Sequence, residues 1–247
     1  MTKLDIIIPV YNEDENIIKL LKLLDSTIIC NFRILICYDN ETDNTLRYLK
    51  NLNIIKSEII LIKNPKQGPN SAIIEGIKSS NSEIILIYMA DDFENVKLIN
   101  QMVDLVEKGN DLVIPSRFIT GGKMLGAVKS KEMVTRIGSN LIYYLAGIPY
   151  KDCTNAFKMF SAKITDIIKF ESTTGFTFAL ELVVKSHFLK LKILEVPSTW
   201  IEVKNRKSNF KMIKWIPYYI YWLLYSMVKN YTLKIKRSLK IDPTDVK

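Results

Sequence analysis

The first half of the chain alternates short apolar runs with longer segments of helical periodicity. Runs rich in Ile, Leu and Val suit buried strands, and the segments between them repeat apolar residues every three or four positions. Strands that alternate with helices form a mostly parallel sheet flanked by helices. The sequence therefore predicts an α/β fold, with strands at residues 4–10, 32–38, 58–63, 83–89, 111–115 and 193–196.

The most regular predicted helix follows the first strand. Asn12 and Glu15 have the spacing of a capping box, in which two side chains bond the free N–H groups at a helix start. The apolar positions that follow fall on one helix face: Ile17, Leu21, Leu24 and Ile28. The pattern predicts an amphipathic helix beginning just after Asn12.

Small residues recur at every fourth position after the third strand, at Gly68, Ala72 and Gly76. On a helix this spacing forms one stripe, along which the helix can approach the sheet or a bound phosphate closely. Packing explains Ala72 and Gly76 best, whereas Gly68 in the preceding loop is a candidate for ligand binding.

In the middle of the chain, the sequence predicts a glycine-containing loop at residues 116–126 and then a helix at 131–146. The loop is suited to be a mobile segment over a site. No linker rich in Pro, Gly or Ser and no internal repeat interrupts the chain. We therefore predict one continuous domain at residues 1–209, followed by a C-terminal segment at 210–247.

Three of the predicted strands lead into acidic residues. Asp91, Asp92 and Glu94 follow the fourth strand, Asp39 follows the second, and Glu13 follows the first. Acids beyond the carboxyl ends of buried strands suit a divalent cation and the phosphates it holds. The three junctions predict one ligand site. The alternative is that Asp91 or Asp92 only caps the helix that follows.

A formal charge of +9 and a pI near 9.2 point to anionic partners, which include nucleic acid, phospholipid surfaces and nucleotide phosphates. Nucleic acid is the weakest of these candidates, because the basic residues are spread out and the aromatic residues cluster at one end. No nucleic-acid partner is expected.

The three cysteines are widely spaced and indicate neither a disulfide framework nor a zinc site, which favours a reducing cytosol. The start of the chain lacks the apolar core of a cleavable signal. His187 is the only histidine, so a histidine metal cluster is excluded.

The C-terminal segment has a different composition. Residues 215–228 carry no formal charge and include six aromatic residues, with lysines on both sides. A spanning helix needs about 20 apolar residues, so this run is too short. Aromatic and aliphatic residues flanked by cations suit the headgroup level of a bilayer. The alternative is a helix docked on the protein itself or on a second subunit; the oligomeric state is left open.

Taken in order, these motifs resemble the family 2 glycosyltransferases with a GT-A fold, and among them the dolichyl-phosphate and polyprenyl-phosphate mannose and glucose synthases. The resemblance covers residues 4–211. Its matching segments are 8–13; 39–45; Gly68, Ala72 and Gly76; 89–91 at the D-x-D position; 116–118 with Gly121 and Gly122; 152–157; Gly175 and Phe176 with Glu181; 195–197; and 208–211.

The resemblance implies transfer of a sugar, with inversion, from a GDP- or UDP-linked donor to a polyprenyl phosphate. By the same resemblance Pro9, Tyr11 and Glu13 line the nucleoside pocket, Asp39 accepts hydrogen bonds from the base or ribose, and Gly68 adjoins the nucleotide. Asp91 holds Mg²⁺ or Mn²⁺ on the diphosphate, where positive charge stabilises the leaving group.

The metal position departs from the family pattern, because Met89 replaces the first acid of the motif. Asp92 or Glu94 is the candidate replacement, since magnesium needs few protein ligands when phosphates and water complete its shell. Near the end, Val203 stands where many relatives have arginine, and Arg206 is the candidate for the displaced charge.

The resemblance also implies residues that bind the acceptor or its phosphate. The candidates are Arg117, Arg136, Lys158, Arg206 and Ser208. A lipid phosphate is already anionic and needs no strong base, whereas a hydroxyl acceptor requires one, for which Glu181 and Asp152 are candidates.

The expected setting is the cytoplasmic face of the cell membrane, with a role in cell-envelope glycan synthesis. Two alternatives stay open. One is a soluble transferase acting on a hydroxyl acceptor in surface glycan synthesis. The other is a non-catalytic nucleotide-sugar-binding homologue, which Met89 and Val203 suggest.

Overall fold

The computed structural model of the protein describes residues 2–50, 55–126, 129–202 and 212–238. The strands are β1 (Leu4–Pro9), β2 (Phe32–Tyr38), β3 (Glu58–Lys63), β4 (Ile84–Ile87), β5 (Leu112–Ser116), β6 (Lys123–Leu125), β7 (Lys158–Ser161), β8 (Ile193–Pro197) and β9 (Thr199–Ile201). The helices are α1 (Asn16–Thr27), α2 (Asn44–Leu49), α3 (Pro69–Ser79), α4 (Val96–Glu107), α5 (Lys129–Tyr144), α6 (Lys163–Ile167), α7 (Thr177–Phe188) and α8 (Met212–Ser238).

Seven strands form one twisted sheet in the order β3-β2-β1-β4-β7-β5-β8. Strands β3, β2, β1 and β4 are parallel to one another, β5 is parallel to β8, and β7 runs antiparallel between β4 and β5. All six predicted strands are confirmed, and β4 ends at Ile87, two residues before its predicted end. The sequence did not predict β7, a four-residue strand that begins with a lysine.

Both faces of the sheet are covered, which explains the nearly continuous apolar runs of its strands. Successive side chains of a strand point to opposite faces. Ile6 and Ile8 of β1 accordingly pack with α1 and α4, whereas Ile7 packs with α3 and α7. The two apolar layers fix the direction of every strand that leads to the site.

Helix α1 confirms the predicted apolar face, because Ile17, Leu21, Leu24 and Ile28 are all buried. The capping box is wrong. Asn12 has φ +55°, and its side chain accepts a hydrogen bond from the N–H of Asn44 at 3.0 Å rather than from the start of α1. It therefore joins the loop after β1 to helix α2.

Helix α3 confirms the close packing predicted from its small residues. A Cβ atom at Gly76 would lie 2.5 Å from Cγ2 of Ile7 and 2.8 Å from Sγ of Cys37. Ala72 on the same stripe is buried. Only glycine leaves enough space for α3 to lie this close to β1 and β2.

The region predicted as a loop at 116–126 is partly a strand. Residues 123–125 form β6, which pairs in parallel with β9 as a separate two-stranded sheet. The run is short and has one apolar residue on each side of its pleat, so it carried no strand signal.

Helix α8 lies against α7 and buries Trp222 and Ser226. Within the described residues, no helix has the length and hydropathy required to cross a membrane. The outer surface of α8 is apolar, as is that of α5, where the predicted helix is confirmed. The exposed apolar residues are Met133, Val134, Ile137, Leu141 and Tyr144 of α5, Leu145 just after it, and Ile216, Tyr218, Ile220, Tyr221, Leu224, Val228, Tyr231 and Ile235 of α8.

Candidate active site

The carboxyl ends of β1, β2 and β4 lie side by side. These strands are neighbours in the order β2-β1-β4, and both pairs are parallel. The segments that follow them, carrying Glu13, Asp39 and Asp91, therefore leave the sheet along the same edge. The three strand-to-acid junctions thus share one edge of the sheet, and one ligand site at that edge stays a prediction.

The loop after β1 is held in place by the start of α2. The N–H of Asn12 donates to Oδ1 of Asp43 at 3.1 Å, and the N–H of Glu13 donates to Oγ1 of Thr45 at 3.0 Å. Asp43 also caps α2 through the N–H of Thr45. The loop is thereby fixed while Tyr11 is 54% exposed, as a ring that stacks on a ligand would be.

Asp39 has a fixed orientation at this edge. Its Oδ1 accepts a hydrogen bond from Nδ2 of Asn64 at 2.7 Å, and its Oδ2 accepts one from the N–H of Gly68 at 2.8 Å. A carboxylate oxygen has two lone pairs, so each can also accept a bond from a ligand. Gly68, predicted as a ligand-site residue, adjoins Asp39 with φ +104° just before α3.

Asn64 is a part of the site that the sequence analysis missed. It is buried, its N–H donates to the carbonyl of Tyr38, and its Oδ1 accepts from Oγ of Ser71 at 2.8 Å. Asn64 thus joins β2 to α3 behind Asp39. The available signal was its place directly after a strand and before Pro65, where a polar side chain is positioned to bond a turn.

The three acids after β4 differ in burial and in hydrogen-bond partners. Asp91 and Glu94 are exposed, whereas Asp92 accepts hydrogen bonds from the backbone and side-chain nitrogens of Asn95. Burial raises the pKa of Asp92 to about 6. Asn95 in turn bonds the backbone of Thr199. Asp92 therefore holds Asn95, the N-cap residue of α4, whereas no side chain caps the first turn of that helix, so the capping alternative is not confirmed.

The predicted ligand set of Asp91, Asp92 and Glu94 needs correction accordingly. Nowhere in the described parts of the chain do three or more His, Cys, Asp or Glu side chains gather as metal ligands. The Asp92 carboxylate is occupied by Asn95. Asp91 remains the candidate, in a site where the diphosphate itself and water would supply most ligands.

Arg117 and Asp152 form a buried, bidentate ion pair. Nε and Nη2 of Arg117 each lie 2.7 Å from a carboxylate oxygen of Asp152, which also accepts the N–H of Arg117. Burial opposes the charge on Arg117, but the Asp152 carboxylate outweighs it and raises the guanidinium pKa. Glu195 completes the cluster by accepting the N–H groups of Lys151 and Asp152.

Arg136 lies on the same side of the fold as Arg117. The two guanidinium carbons are 4.9 Å and 5.2 Å from the centre of the Phe118 ring. Arg136 is half exposed and pairs with Glu132 one turn away on α5. Tyr219 of α8 is close enough to Arg117 to feel its charge. Burial raises the pKa of Tyr219 to about 12, and the positive charge of Arg117 opposes this rise.

Lys158 was predicted to contact a phosphate, but its side chain is turned into the protein. Its side chain is fully buried, and its amine donates to the backbone carbonyls of Asp152 and Asn155. Burial lowers its pKa to about 8, although Asp152 and Cys153 oppose this effect. Lys158 therefore holds the turn that carries Asp152 instead of reaching a ligand.

The predicted general bases, Asp152 and Glu181, are both buried and paired within the protein. Asp152 is fully buried in its pair with Arg117. Glu181 is fully buried too, and it accepts bonds from the N–H groups of Glu171 and Ser172 and from Lys185. Neither carboxylate is exposed to an acceptor hydroxyl. Arg206, Ser208 and Val203 lie outside the described residues.

A family comparison decides the class of this chain. The family model described as glycosyl transferase family 2 matches residues 5–168, which is more than half of the chain. The chain belongs to glycosyl transferase family 2. This family 2 protein is therefore a glycosyltransferase.

Curated relatives of this glycosyltransferase include enzymes that act on lipid phosphates. Dolichol-phosphate mannosyltransferase of Pyrococcus furiosus is 24% identical over 80% of this chain, which spans 56% of the length of that relative. Undecaprenyl-phosphate mannosyltransferase of Micrococcus luteus is 25% identical over 82% of the chain and 85% of the relative. Dolichyl-phosphate beta-glucosyltransferase of Saccharomyces cerevisiae is 24% identical over 85% of the chain and 72% of the relative.

Solved structures match the fold at lower identity. Glucosyl-3-phosphoglycerate synthase of Mycobacterium tuberculosis, in complex with Mn²⁺, UDP and its glucosylated product, superposes with a TM-score of 0.68. The match covers 92% of this chain and 80% of the other at 13% identity. The predicted GT-A fold, a mostly parallel sheet flanked by helices, is confirmed.

Proposed function

We propose that this glycosyltransferase moves a sugar, with inversion, from a nucleotide sugar to a polyprenyl phosphate. The observation that carries the proposal is the shared edge of β2, β1 and β4, where Asp39 is held by Asn64 and Gly68 and Asp91 is exposed. The three curated relatives are named for transfer to dolichyl or undecaprenyl phosphate.

The donor side is formed by the segments after β1 and β2. Tyr11 offers an exposed ring, and Pro9 and Glu13 flank it in a loop tied to α2. Asp39 accepts hydrogen bonds from the base or ribose while Gly68 keeps the backbone of α3 close. The solved neighbour contains UDP, and the donor is a UDP- or GDP-linked sugar.

A divalent cation fits beside Asp91. A single exposed carboxylate is enough for Mg²⁺ or Mn²⁺ when the diphosphate and water supply the other oxygens, and the solved neighbour contains Mn²⁺. A bound cation neutralises the charge that gathers on the leaving diphosphate. Asp91 would hold it at the same edge as the nucleotide carboxylate.

The acceptor phosphate is assigned to the cationic side near Arg117 and Arg136. The bidentate pair with Asp152 fixes the plane of the Arg117 guanidinium, and a fixed guanidinium loses little freedom on binding phosphate. A lipid phosphate needs no strong base. Because Asp152 and Glu181 are buried in ion pairs, the structure favours this acceptor over a hydroxyl group.

A polyprenyl phosphate lies in a membrane, and the outer surfaces of α5 and α8 suit that location. Leu224, Val228 and Tyr231 are more than half exposed on α8, with Lys229 and Lys234 along the same helix. Exposed apolar and aromatic residues beside lysines favour an anionic bilayer surface. We place the protein peripherally on the inner face of the cell membrane, in envelope glycan synthesis.

The proposal is tested by mixing the purified protein with UDP- and GDP-sugars, a polyprenyl phosphate in detergent, and Mg²⁺ or Mn²⁺. A lipid-linked sugar is the expected product. Asp91→Ala should lower its rate at least 100-fold, as expected for loss of transition-state charge stabilisation, whereas Asp104→Ala on the surface of α4 should not. Unchanged turnover in Asp91→Ala, or binding of nucleotide sugar without transfer to any acceptor, would refute it.

A further inference from the structure

A short loop before α7, at residues 171–175, is anchored by the buried carboxylate of Glu181. That carboxylate accepts the N–H of Glu171 at 2.6 Å and the N–H of Ser172 at 2.8 Å. Lys185, one turn further along α7, bonds the same carboxylate and also pairs with Glu171. Charge-assisted hydrogen bonds are stronger than neutral ones, so the loop is firmly attached to α7.

Ser172 uses all of its polar groups in contacts with three different helices. Its N–H donates to Glu181 of α7, and its carbonyl oxygen accepts Nδ2 of Asn70 of α3 at 2.6 Å. Its hydroxyl oxygen accepts the indole N–H of Trp222 of α8 at 3.0 Å. One residue of the loop therefore connects the C-terminal helix to the first turn of α3.

The α8 end of this connection is rigid. Trp222 is 2% exposed, and the Lys185 amine lies 5.3 Å from the centre of its ring. Trp215, seven residues earlier on α8, packs so closely on Gly175 that a Cβ atom on the glycine would lie 2.5 Å from the indole. The position of α8 thus determines the position of the loop.

The α3 end leads to the donor side. Asn70 is 2% exposed, donates to Ser172, and accepts the N–H of Phe178 through Oδ1. Two residues earlier, the N–H of Gly68 donates to Asp39 at 2.8 Å. The first turn of α3 is therefore held between Ser172 on one side and the nucleotide carboxylate on the other.

We propose that Asn70, Ser172 and Trp222 are positioning residues for the nucleotide, through which α8 sets the first turn of α3 and thereby the orientation of Asp39. The inference rests on the proposed function, in which Asp39 receives the nucleoside. The three residues act through Gly68 and Asp39 and not by touching the ligand. A purely structural role would lower the stability of the variants but leave the affinity of the folded protein unchanged.

The test measures the affinity of UDP and of GDP, each with Mn²⁺, by titration calorimetry. Loss of one interaction in a coupled network changes free energies enough to weaken binding roughly fivefold or more. We expect this result for Asn70→Ala, Ser172→Ala and Trp222→Phe. Tyr221→Phe and Thr173→Ala remove a polar atom from exposed neighbouring positions, and these controls should bind like the wild type.

A double variant separates the hydrogen bond from the side chains that form it. If the bond transmits the effect, Ser172→Ala combined with Trp222→Phe should weaken binding no more than either change alone. Ser172→Ala removes one oxygen from a half-buried residue, and it preserves the test if a larger change prevents folding. Catalytic readouts should agree, with a higher KM for the donor and an unchanged kcat.

The outcomes that overturn the inference differ from those that overturn the proposed function. If the wild type binds UDP or GDP and the three variants bind it equally tightly, only the positioning inference is refuted. A fall in melting temperature without a change in affinity has the same meaning. If the wild type binds neither nucleotide, the proposed function fails and the inference fails with it.

Discussion

Lys158 places an amine where solvent does not reach, and this makes the stability of the protein depend on pH in a defined direction. Burial lowers its pKa to about 8, against an ordinary value of 10.5 that applies to the unfolded chain. Below pH 8 the amine is protonated in both states. Between pH 8 and 10.5 the folded protein has released the proton while the unfolded chain retains it, so stability rises with pH.

The size of the effect follows from the two pKa values. The full difference corresponds to about 3 kcal/mol, and about 2 kcal/mol of it develops between pH 7 and 9.5. Cys37 and Cys153 act in the opposite direction above pH 9, because burial raises the pKa of both thiols and the unfolded chain loses those protons first. The contribution of Lys158 to the free energy of unfolding is therefore measured as the difference between the wild type and a variant without this lysine.

The assay is urea unfolding at intervals from pH 7 to 9.5, followed by tryptophan fluorescence, for the wild type and Lys158→Met. The variant loses the bonds to the carbonyls of Asp152 and Asn155, an offset that does not change with pH. Its stability should gain about 2 kcal/mol less than that of the wild type across this range.

Lys97→Met, the same change at an exposed position of α4, is the control and should keep the wild-type dependence on pH. Parallel curves for the wild type and Lys158→Met would refute the reasoning, because they would show that the Lys158 proton is bound equally in both states.

Two further predictions concern packing and the outer surface of α8. Gly76→Ala should destabilise the protein by about 1–3 kcal/mol in urea unfolding, because its Cβ would overlap Ile7. Gly138→Ala on α5, where the new Cβ meets no atom within 4 Å, should be neutral or stabilising, and equal effects at both sites would contradict the packing argument. Leu224→Asp with Val228→Asp should weaken sedimentation with anionic lipid vesicles roughly tenfold or more while nucleotide affinity stays unchanged. Undiminished sedimentation of that variant would exclude this face of α8 from the membrane contact.

The parallel half of the fold could be predicted because its signals are local. A strand buried on both faces is a continuous apolar run, and α1 repeats apolar residues at the helical period, so β1 to β5 and α1 needed no knowledge of their neighbours. Strand β7 lacks such a signal. Its four residues include Lys158, a charged residue that is fully buried and donates to carbonyl groups of the turn just before it, and lysine is not typical of a buried strand.

The convergence of the acids could be predicted for the same reason, since it follows from strand direction alone. The orientation of each carboxylate depends on residues far away in the chain. Asp39 is set by Asn64 and Gly68, which are 25 and 29 residues later, and no motif indicated that either residue bonds the Asp39 carboxylate.

A sequence alone does not distinguish a carboxylate that binds a ligand from one that holds the backbone. Asp152 and Glu181 were predicted as site residues with Asp39 and Asp91, yet both are turned towards backbone N–H groups or cations of the protein itself. A buried acid is stable only when such partners compensate the cost of removing it from water. The distinction is therefore one of burial, and burial is fixed by tertiary packing. It leaves the exposed edge after β1, β2 and β4 as the proposed donor side, whereas the buried acids Asp152 and Glu181 hold Arg117 and the 171–175 loop in place.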